Sequence, residues 1–237
     1  TDDTELRNGG TSVDTVIASE TLGKDWVFSS ENLPTAPNGE LSVDENGNLV
    51  YTQTQALTDE SLHSDNTPGT GTDESAVAGT VTVTVVNKVT GATQQVEVTI
   101  NIRDDAPELT VTDNTTDVSS TAKTQVGTYA LTHSADGDTV AINGVQATEK
   151  NGVYTAEVEG IGTVTLENGN VYVTASEGYV SKNDVELTIT VTDSDNDTVS
   201  DSLTFDMDSV LKNQEASVIT DDTELRNGGT SVDTVIA

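Results

Sequence analysis

The chain has 237 residues, of which 41 are acidic and 9 are basic, giving a formal net charge of −32. A polyanion of this density repels nucleic acids and anionic membranes, so neither is expected as a partner. The chain contains no cysteine, which excludes disulfide bonds, and no apolar run approaches the length of a membrane span.

Valine, threonine and isoleucine recur at alternating positions, and no window shows an apolar stripe at helical spacing. β-Branched residues favour pleated strands, so the fold class is predicted to be all-β. Four hairpins are predicted in chain order: Leu41–Val43 with Leu49–Tyr51, Thr80–Val86 with Gln95–Ile102, Val164–Leu166 with Val171–Val173, and Glu186–Thr192 with Val199–Asp206. Residues 56–78 are acidic and non-periodic, which predicts a long loop.

The strongest signal is a repeat. Residues 1–18 and 220–237 both read TDDTELRNGGTSVDTVIA, an identity over 18 positions at a displacement of 219 residues. The chain is therefore interpreted as one repeat unit followed by the orphan opening segment of the next. We expect that tail either to be disordered or to pair with an exposed strand edge of another copy.

An inner repeat divides the unit in two. Three segments match in the same order: 216–222 resembles 108–114, 39–55 resembles 162–178, and 79–102 resembles 185–207. Two related domains of about a hundred residues have the size of immunoglobulin-like β-sandwiches. The expected organisation is a first domain at 1–103 with a truncated first strand, a linker at 104–107, a second domain at 108–209, and the next linker and repeat start at 210–237.

The acidic residues suggest where cations could bind. Asp193, Asp195 and Asp197 alternate on a tight turn and can converge on one hard cation, although aspartate is also a common turn residue. The adjacent Asp104 and Asp105 repel each other unless a cation lies between them. With oxygen donors, no cysteine and two histidines, the expected ion is Ca²⁺ or Mg²⁺.

Other carboxylates are further candidates. A loop carrying Asp44 and Glu45 is expected to complete the linker site, and several aspartates that follow a first strand could serve the same junctions: Asp113, Asp2, Asp3, Asp221 and Asp222. The weaker candidates, for which a solvated loop is the simpler interpretation, are Asp59, Glu60, Asp65, Asp73 and Glu74.

Catalysis has little support in the sequence, and no enzyme is expected. His133 lies beside Ser134 and Asp136, but neighbours in sequence do not make a triad, and His63 lies in the acidic loop. Trp26 and Phe28 could form a sugar-stacking platform, and the simpler interpretation is that both fill the core of the first domain.

The closing strand INIRDDAP (100–107) and the segment TITVTDSDNDTVSDSLTF (188–205) carry a family resemblance. Together with the long repeat, they resemble the bacterial Ig-like and cadherin-like repeat regions of giant RTX-type, LapA-like biofilm adhesins exported by type I secretion. The resemblance covers essentially the whole chain and implies Ca²⁺ at domain junctions and an extended rod. Two features depart from it: residues 87–91 lack the acidic triplet, and the RTX nonapeptide is absent.

These observations predict a calcium-stiffened structural extender at the bacterial cell surface, with neighbouring repeats of the same chain as partners. It would project distal binding domains for biofilm formation or surface attachment. A carbohydrate-binding or homophilic cell-adhesion module is the alternative, which would need an exposed aromatic or acidic groove.

Overall fold

The structure is a computed structural model that describes residues 2–10, 13–58 and 75–209. These residues form sixteen β-strands and two 3-10 helices, Asp3–Gly9 and Ser19–Leu22, which confirms the predicted all-β class. The first six strands are β1 (Val13–Ile17), β2 (Trp26–Phe28), β3 (Gly39–Val43), β4 (Leu49–Gln53), β5 (Ser75–Asn87) and β6 (Thr93–Arg103).

The other ten strands follow the segment 104–107. They are β7 (Glu108–Asp113), β8 (Thr124–Thr132), β9 (Asp138–Ile142), β10 (Val145–Gln146), β11 (Thr148–Lys150), β12 (Val153–Val158), β13 (Gly162–Glu167), β14 (Asn170–Ala175), β15 (Lys182–Asp193) and β16 (Thr198–Met207).

The strands build two β-sandwiches, each with its own core. In the first, the sheets have the orders β1-β4-β3 and β2-β5-β6 and enclose a cluster that includes Leu49, Val83 and Ile102. In the second, the sheets have the orders β11-β12-β13-β14-β8-β7 and β10-β9-β15-β16 and enclose a larger cluster around Leu166 and Ile189. Inward positions alternate with outward ones along β14 and β15, as a half-buried strand requires.

All four predicted hairpins are present as antiparallel pairs: β3 with β4, β5 with β6, β13 with β14, and β15 with β16. The prediction of a loop over 56–78 is wrong for its last four residues. Strand β5 already begins at Ser75, and its first residues pair with the end of β6. A register shift between Val77 and Gly79 lets the strand continue past the glycine. Residues 59–74 lie outside the described part of the chain.

Asn-Gly turns close two of the hairpins. Gly47 has a φ of +82°, and Asn168 and Gly169 have φ values of +50° and +77°, conformations that these residue types adopt at low cost. The Asp44 carboxylate also accepts hydrogen bonds from the backbone N–H groups of Asn46 and Asn48. The turn chemistry visible in the sequence therefore sets the register of these pairs.

The structure supports the simpler interpretation of Trp26 and Phe28, in which both side chains contribute to the core of the first sandwich. Phe28 is buried in the core of the first sandwich, and Trp26 is half-buried against the same cluster. No described helix is both long and apolar enough to cross a membrane. The orphan segment at 210–237 lies outside the described residues.

Shortening a core side chain of the second sandwich tests this architecture. Leu166 is fully buried, so Leu166→Ala should lower the free energy of unfolding by about 2–5 kcal/mol in chemical denaturation. Val180 is 75% exposed, and Val180→Ala should change stability by less than about 0.5 kcal/mol. Equal effects of the two variants would contradict the assignment of the core.

Candidate metal centre

Strand pairing brings two loops together at one end of the second sandwich. Strand β15 pairs with β9 so that Asp193, at the end of one strand, lies opposite Asp138, at the start of the other. The loop before β9 and the turn after β15 are therefore neighbours. Ser194 ties them together, since its N–H donates to Asp136 Oδ2 at 3.1 Å and its hydroxyl donates to the Asp136 carbonyl at 2.8 Å.

The segment that joins the two sandwiches reaches the same place. Asp104–Pro107 lies between the end of β6 at Arg103 and the start of β7 at Glu108, and all four residues are buried. Burial is unusual for two adjacent aspartates, which are seldom removed from water unless a partner compensates their charge.

Five aspartates converge there in two overlapping groups. Asp104, Asp195 and Asp197 each offer a carboxylate oxygen within 4.8 Å of the others, and so do Asp136, Asp193 and Asp195. Asp195 belongs to both groups. Asp136 is half-buried, and the other four side chains are only 1–6% exposed.

Protein hydrogen bonds leave part of this cluster unsatisfied. Asp193 Oδ1 accepts the N–H of Asp197 at 2.7 Å, but Asp193 Oδ2 and Asp136 Oδ1 are buried and have no hydrogen-bond partner among the described residues. A buried carboxylate oxygen without a partner costs free energy. A positively charged ligand would supply the partner that these two atoms lack among the described residues.

Two of these aspartates have raised pKa values, as expected for buried carboxylates that lie close together. Burial raises the pKa of Asp136 to about 6, and the charges of Asp195 and Asp105 contribute to the rise. Burial also raises the pKa of Asp193, and the nearby carboxylate of Asp195 strengthens the rise. Without a cation, these carboxylates repel one another and hold protons that ordinary aspartates release.

The charge of Asp105 is compensated by a side chain of the protein, Arg7. The guanidinium of Arg7, from the first 3-10 helix, forms an ion pair with Asp105 and donates to the carbonyl of Ala106. The N–H of Ala135 donates to both oxygens of the same carboxylate at 3.1 Å. Burial opposes the charge of Arg7, but the hydrogen bond and charge of Asp105 prevail and raise the pKa of Arg7. Asp105 is thus paired within the protein, whereas Asp104 points to the cluster.

The structure joins residues that the sequence suggested as two separate sites. Asp193, Asp195 and Asp197 of the turn lie with Asp104 of the linker in one cluster. Asp105 was expected to share a cation with Asp104, and it is instead part of the ion pair with Arg7. The reason is that the guanidinium of Arg7 and the N–H of Ala135 both bind the Asp105 carboxylate.

Asp44 does not join the cluster, contrary to the expectation for the linker site. Its turn packs beside β2, where the N–H of Phe28 donates to the carbonyl of Gly47 at 3.0 Å, and β2 pairs with the residues next to the β5–β6 turn. The linker leaves the opposite end of that hairpin. The 11 residues of β6 span about 33 Å, so Asp44 and its neighbour Glu45 belong to the far end of the first sandwich.

Asp113 lies elsewhere, whereas Asp2 lies beside the linker, where it forms a β-bridge with Arg103 but belongs to neither carboxylate group. Asp113 ends β7, whose six residues carry the chain about 17 Å from the linker, and its carboxylate accepts the N–H of Thr115. Asp2 caps the first 3-10 helix by accepting the N–H of Thr4, and it lies 4.0 Å from Arg103. The remaining candidates fall outside the described residues or side chains: Asp3, Asp221, Asp222, Asp59, Glu60, Asp65, Asp73 and Glu74.

The sequence analysis did not identify Asp136 and Arg7 as residues of this junction. Asp136 lies 57 residues before Asp193, and only the pairing of β9 with β15 makes them neighbours. A signal was present, because Asp136-Gly137-Asp138 is an acidic turn directly before a strand. Arg7 gave no local signal beyond being one of only 9 basic residues in the chain.

His133 and Ser134 form a small group beside the cluster. His133 Nδ1 and the Ser134 hydroxyl both lie 2.5 Å from the carboxylate of Asp138. The two side chains bind one carboxylate from two sides, which differs from a triad in which serine, histidine and aspartate act in series. His63 lies outside the described residues.

The donor set of the cluster is made of carboxylate oxygens, and the described structure holds them close together and away from water. Such a set suits a hard divalent cation, and an ion would supply the charge that the unpartnered oxygens lack. The residues present therefore fit a metal ion. Because Asp195 belongs to both groups, two bound ions would share its carboxylate.

No protein-family model matches the chain, and a search among curated proteins finds no match. Similar solved structures include protocadherin gammaB7 EC3-6 in a cis-dimer, with 17% identity over 82% of this chain and a TM-score of 0.30. The chain spans 41% of that protocadherin chain.

Two others are immunoglobulin-domain structures. The Ig1-2 module of the Drosophila receptor protein tyrosine phosphatase DLAR has 11% identity, covering 85% of this chain and 91% of that one, with a TM-score of 0.27. The eight N-terminal Ig domains of Down Syndrome Cell Adhesion Molecule have 13% identity, covering 85% and 21%, with a TM-score of 0.32. With scores this low, we draw no functional conclusion from them, and the fold class rests on the strands and sheets described above.

The raised carboxylate pKa values predict how the metal-stripped protein responds to pH. A carboxylate whose pKa is higher in the folded state than in the unfolded state favours folding in its protonated form, so its contribution is present at low pH and is lost as pH rises through the folded value. For Asp136 that window extends from about 4 to about 6, and for Asp193 it extends higher. The melting temperature of protein passed over a chelating resin should therefore be higher at pH 5 than at pH 8.

The variant Asp136→Asn/Asp193→Asn supplies the control for this pH effect. Because neutral amides replace both raised carboxylates, the difference between pH 5 and pH 8 should shrink. A wild-type melting temperature that is unchanged or higher at pH 8 would contradict the electrostatic description of the cluster.

The ion pair of Arg7 can be tested independently of any metal. Asp105 is 1% exposed at its side chain, so Arg7→Gln leaves a buried charge without its partner and should destabilise the chain by about 3–5 kcal/mol. Lys123 is 45% exposed and pairs with the half-exposed Glu167, so Lys123→Gln should cost at most about 1 kcal/mol. Denaturation of both variants and of Arg7→Gln/Asp105→Asn, which should recover part of the loss, measures the coupling.

Proposed function

We propose that this chain is a structural extender repeat of a bacterial cell-surface adhesin, stiffened by calcium where its two β-sandwiches meet. The observation that carries the proposal is the convergence of Asp104 from the linker with Asp195 and Asp197 from the second sandwich. A cation bound by these three side chains ties the connecting segment to the body of the next domain.

In the proposed mechanism, the bound ion restricts the motion of the linker. A linker of four residues can change direction at its φ and ψ angles, and the relative angle of the two sandwiches changes with it. A cation held by Asp104 on one side and by Asp195 and Asp197 on the other favours the single linker conformation that brings them together. The ion-free form lacks that preference, since the same carboxylates repel each other.

Calcium is the ion that this environment favours. Extracellular modules bind Ca²⁺ with dissociation constants of about 10⁻⁴–10⁻³ M, and Ca²⁺ accepts irregular sets of oxygen ligands that Mg²⁺, with its strict octahedral geometry, tolerates less well. A chain without cysteine has no disulfide to stabilise it outside the cell, and ion binding to the folded state supplies stability in its place.

The proposed location is outside the cell, at a bacterial surface, where repeats in series project a distal binding domain for attachment or biofilm formation. The activity proposed is mechanical and not enzymatic. A polysaccharide-binding role receives less support, because Trp26 is half-buried against the core of the first sandwich.

The test is a calcium titration of wild type and a matched pair of variants. Asp195 belongs to both carboxylate groups, so Asp195→Asn should weaken calcium binding by at least tenfold in calorimetry and remove most of the calcium-dependent rise in melting temperature. Asp25 is exposed with a φ of +70°, which asparagine accepts, so Asp25→Asn should leave both quantities unchanged.

Small-angle scattering then tests stiffness directly. At equal ionic strength, calcium should lengthen and narrow the distribution of maximum dimensions in wild type and in Asp25→Asn, but not in Asp195→Asn. Scattering profiles of wild type that are identical in calcium and in chelator would overturn the proposed mechanism, even if an ion binds.

A further inference from the structure

Arg7 contacts the linker between the two sandwiches at more than one point. Its side chain is 11% exposed and forms the ion pair with Asp105, and its guanidinium also donates to the carbonyl of Ala106. The same guanidinium lies 3.6 Å from the carboxylate of Glu108, the first residue of β7. Arg7 therefore restrains the path of the linker backbone in addition to compensating one charge.

The helix that carries Arg7 is attached to the first sandwich where the linker begins. This 3-10 helix spans Asp3–Gly9, and Asp2, directly before it, forms a β-bridge with Arg103. Arg103 is the last residue of β6, after which the chain enters the linker. The contacts of Arg7 therefore join the first sandwich to the linker and to the start of the second sandwich.

The second sandwich binds the same linker carboxylate. The N–H of Ala135 donates to both oxygens of Asp105 at 3.1 Å, so Asp105 is held by Arg7 from one sandwich and by Ala135 from the other. Its neighbour in the chain, Asp104, offers its carboxylate to the cluster. Because the two aspartates are adjacent, the backbone angles that place one carboxylate also constrain the other.

We propose that Arg7 is a positioning residue for the cation site, which holds Asp105 so that Asp104 meets the carboxylates of the β15–β16 turn. This inference rests on the proposed function, and it gives a part in ion binding to a side chain that has no acceptor atom and cannot be a ligand itself. Pro107 reduces the remaining freedom of the linker, because its ring fixes its own φ and disfavours a helical conformation at Ala106.

The direction of the effect separates positioning from simple electrostatics. A guanidinium near the site repels a divalent cation and occupies a carboxylate that would otherwise attract it, so on charge alone the loss of Arg7 would tighten ion binding. If Arg7 holds the linker in its binding-competent conformation, its loss lowers the population of that conformation and weakens the apparent affinity by the same factor. The two explanations therefore predict opposite changes.

The variant Arg7→Gln/Asp105→Asn tests positioning without a change in total charge, and asparagine keeps an oxygen for the N–H of Ala135. In calorimetric titration of the whole chain with calcium chloride at fixed ionic strength, the Kd should rise about three- to tenfold. The matched control Lys123→Gln/Glu167→Gln removes an exposed ion pair, again at constant total charge, and should leave the Kd within about twofold of wild type.

The variant Arg7→Lys keeps the positive charge and guards against a double variant that does not fold. A single ammonium does not reproduce the planar fork that reaches both Asp105 and the carbonyl of Ala106, so Arg7→Lys should also weaken calcium binding, by about twofold or more. Because the charge is retained, electrostatic repulsion of the ion cannot account for a change in this variant.

The background Asp104→Asn separates positioning from a general effect on the fold. Without the linker carboxylate, the linker conformation matters less to the ion, so adding Arg7→Gln/Asp105→Asn should change the Kd by less than about twofold. A loss of affinity that is equally large in both backgrounds would contradict the proposal.

The titrations also distinguish this inference from the proposed function. Calcium binding that is unchanged or tighter in both Arg7 variants, while Asp195→Asn still weakens it, would overturn the positioning role and leave the proposed function intact. A wild-type chain that binds no calcium would overturn both.

Discussion

Carboxylates that are close together and removed from water repel one another, and the fold around them is stable only if something neutralises their charge. This constraint acts on the junction between the two sandwiches, where Asp104, Asp105 and the aspartates of the β15–β16 turn are all buried. The junction solves it in two ways. Arg7 supplies a permanent positive charge to Asp105, and the carboxylate oxygens around Asp195 form a donor set that fits a cation.

The ion pair and the carboxylate cluster differ in how they depend on the ions in the surrounding solution. The ion pair between Arg7 and Asp105 connects the opening helix of the first sandwich to the linker, and it is present whatever the surrounding ion concentration. In the proposed function the cluster depends on the medium, since a bound cation would join Asp104 to the second sandwich. A linker held in these two ways would be stiffened without disulfide bonds, in a chain that contains no cysteine.

Among the described residues, the same topology gathers a carboxylate cluster in the second sandwich and not in the first. The turn of the first sandwich that corresponds to the β15–β16 turn is the β5–β6 turn, in which the side-chain oxygen of Asn87 accepts the N–H groups of Val89 and Thr90 at 3.0 Å. The Asn87 side chain thus binds the backbone N–H groups of its own turn, and the turn carries Lys88 instead of aspartates. Its backbone framework is shared, so the difference between the two ends lies in a few side chains.

Much of the fold was determined by local sequence. Alternation of β-branched residues, the Asn-Gly turns at Gly47 and Gly169, and the repeated segments predicted the all-β class and the four hairpins, because each of these features acts over a few neighbouring residues. The acidic turn at 193–197 and the pair at 104–105 were also visible as candidate ligands.

Only the tertiary structure decided which carboxylates share a site. It brought Asp136 in through the pairing of β9 with β15, assigned Asp105 to Arg7 across 98 residues, and left Asp44 at the far end of a long hairpin. Local patterns specify turns and strands, whereas the distance between two side chains far apart in the chain depends on how strands pair and sheets pack. With 41 acidic residues to choose from, composition alone could not select the five that meet.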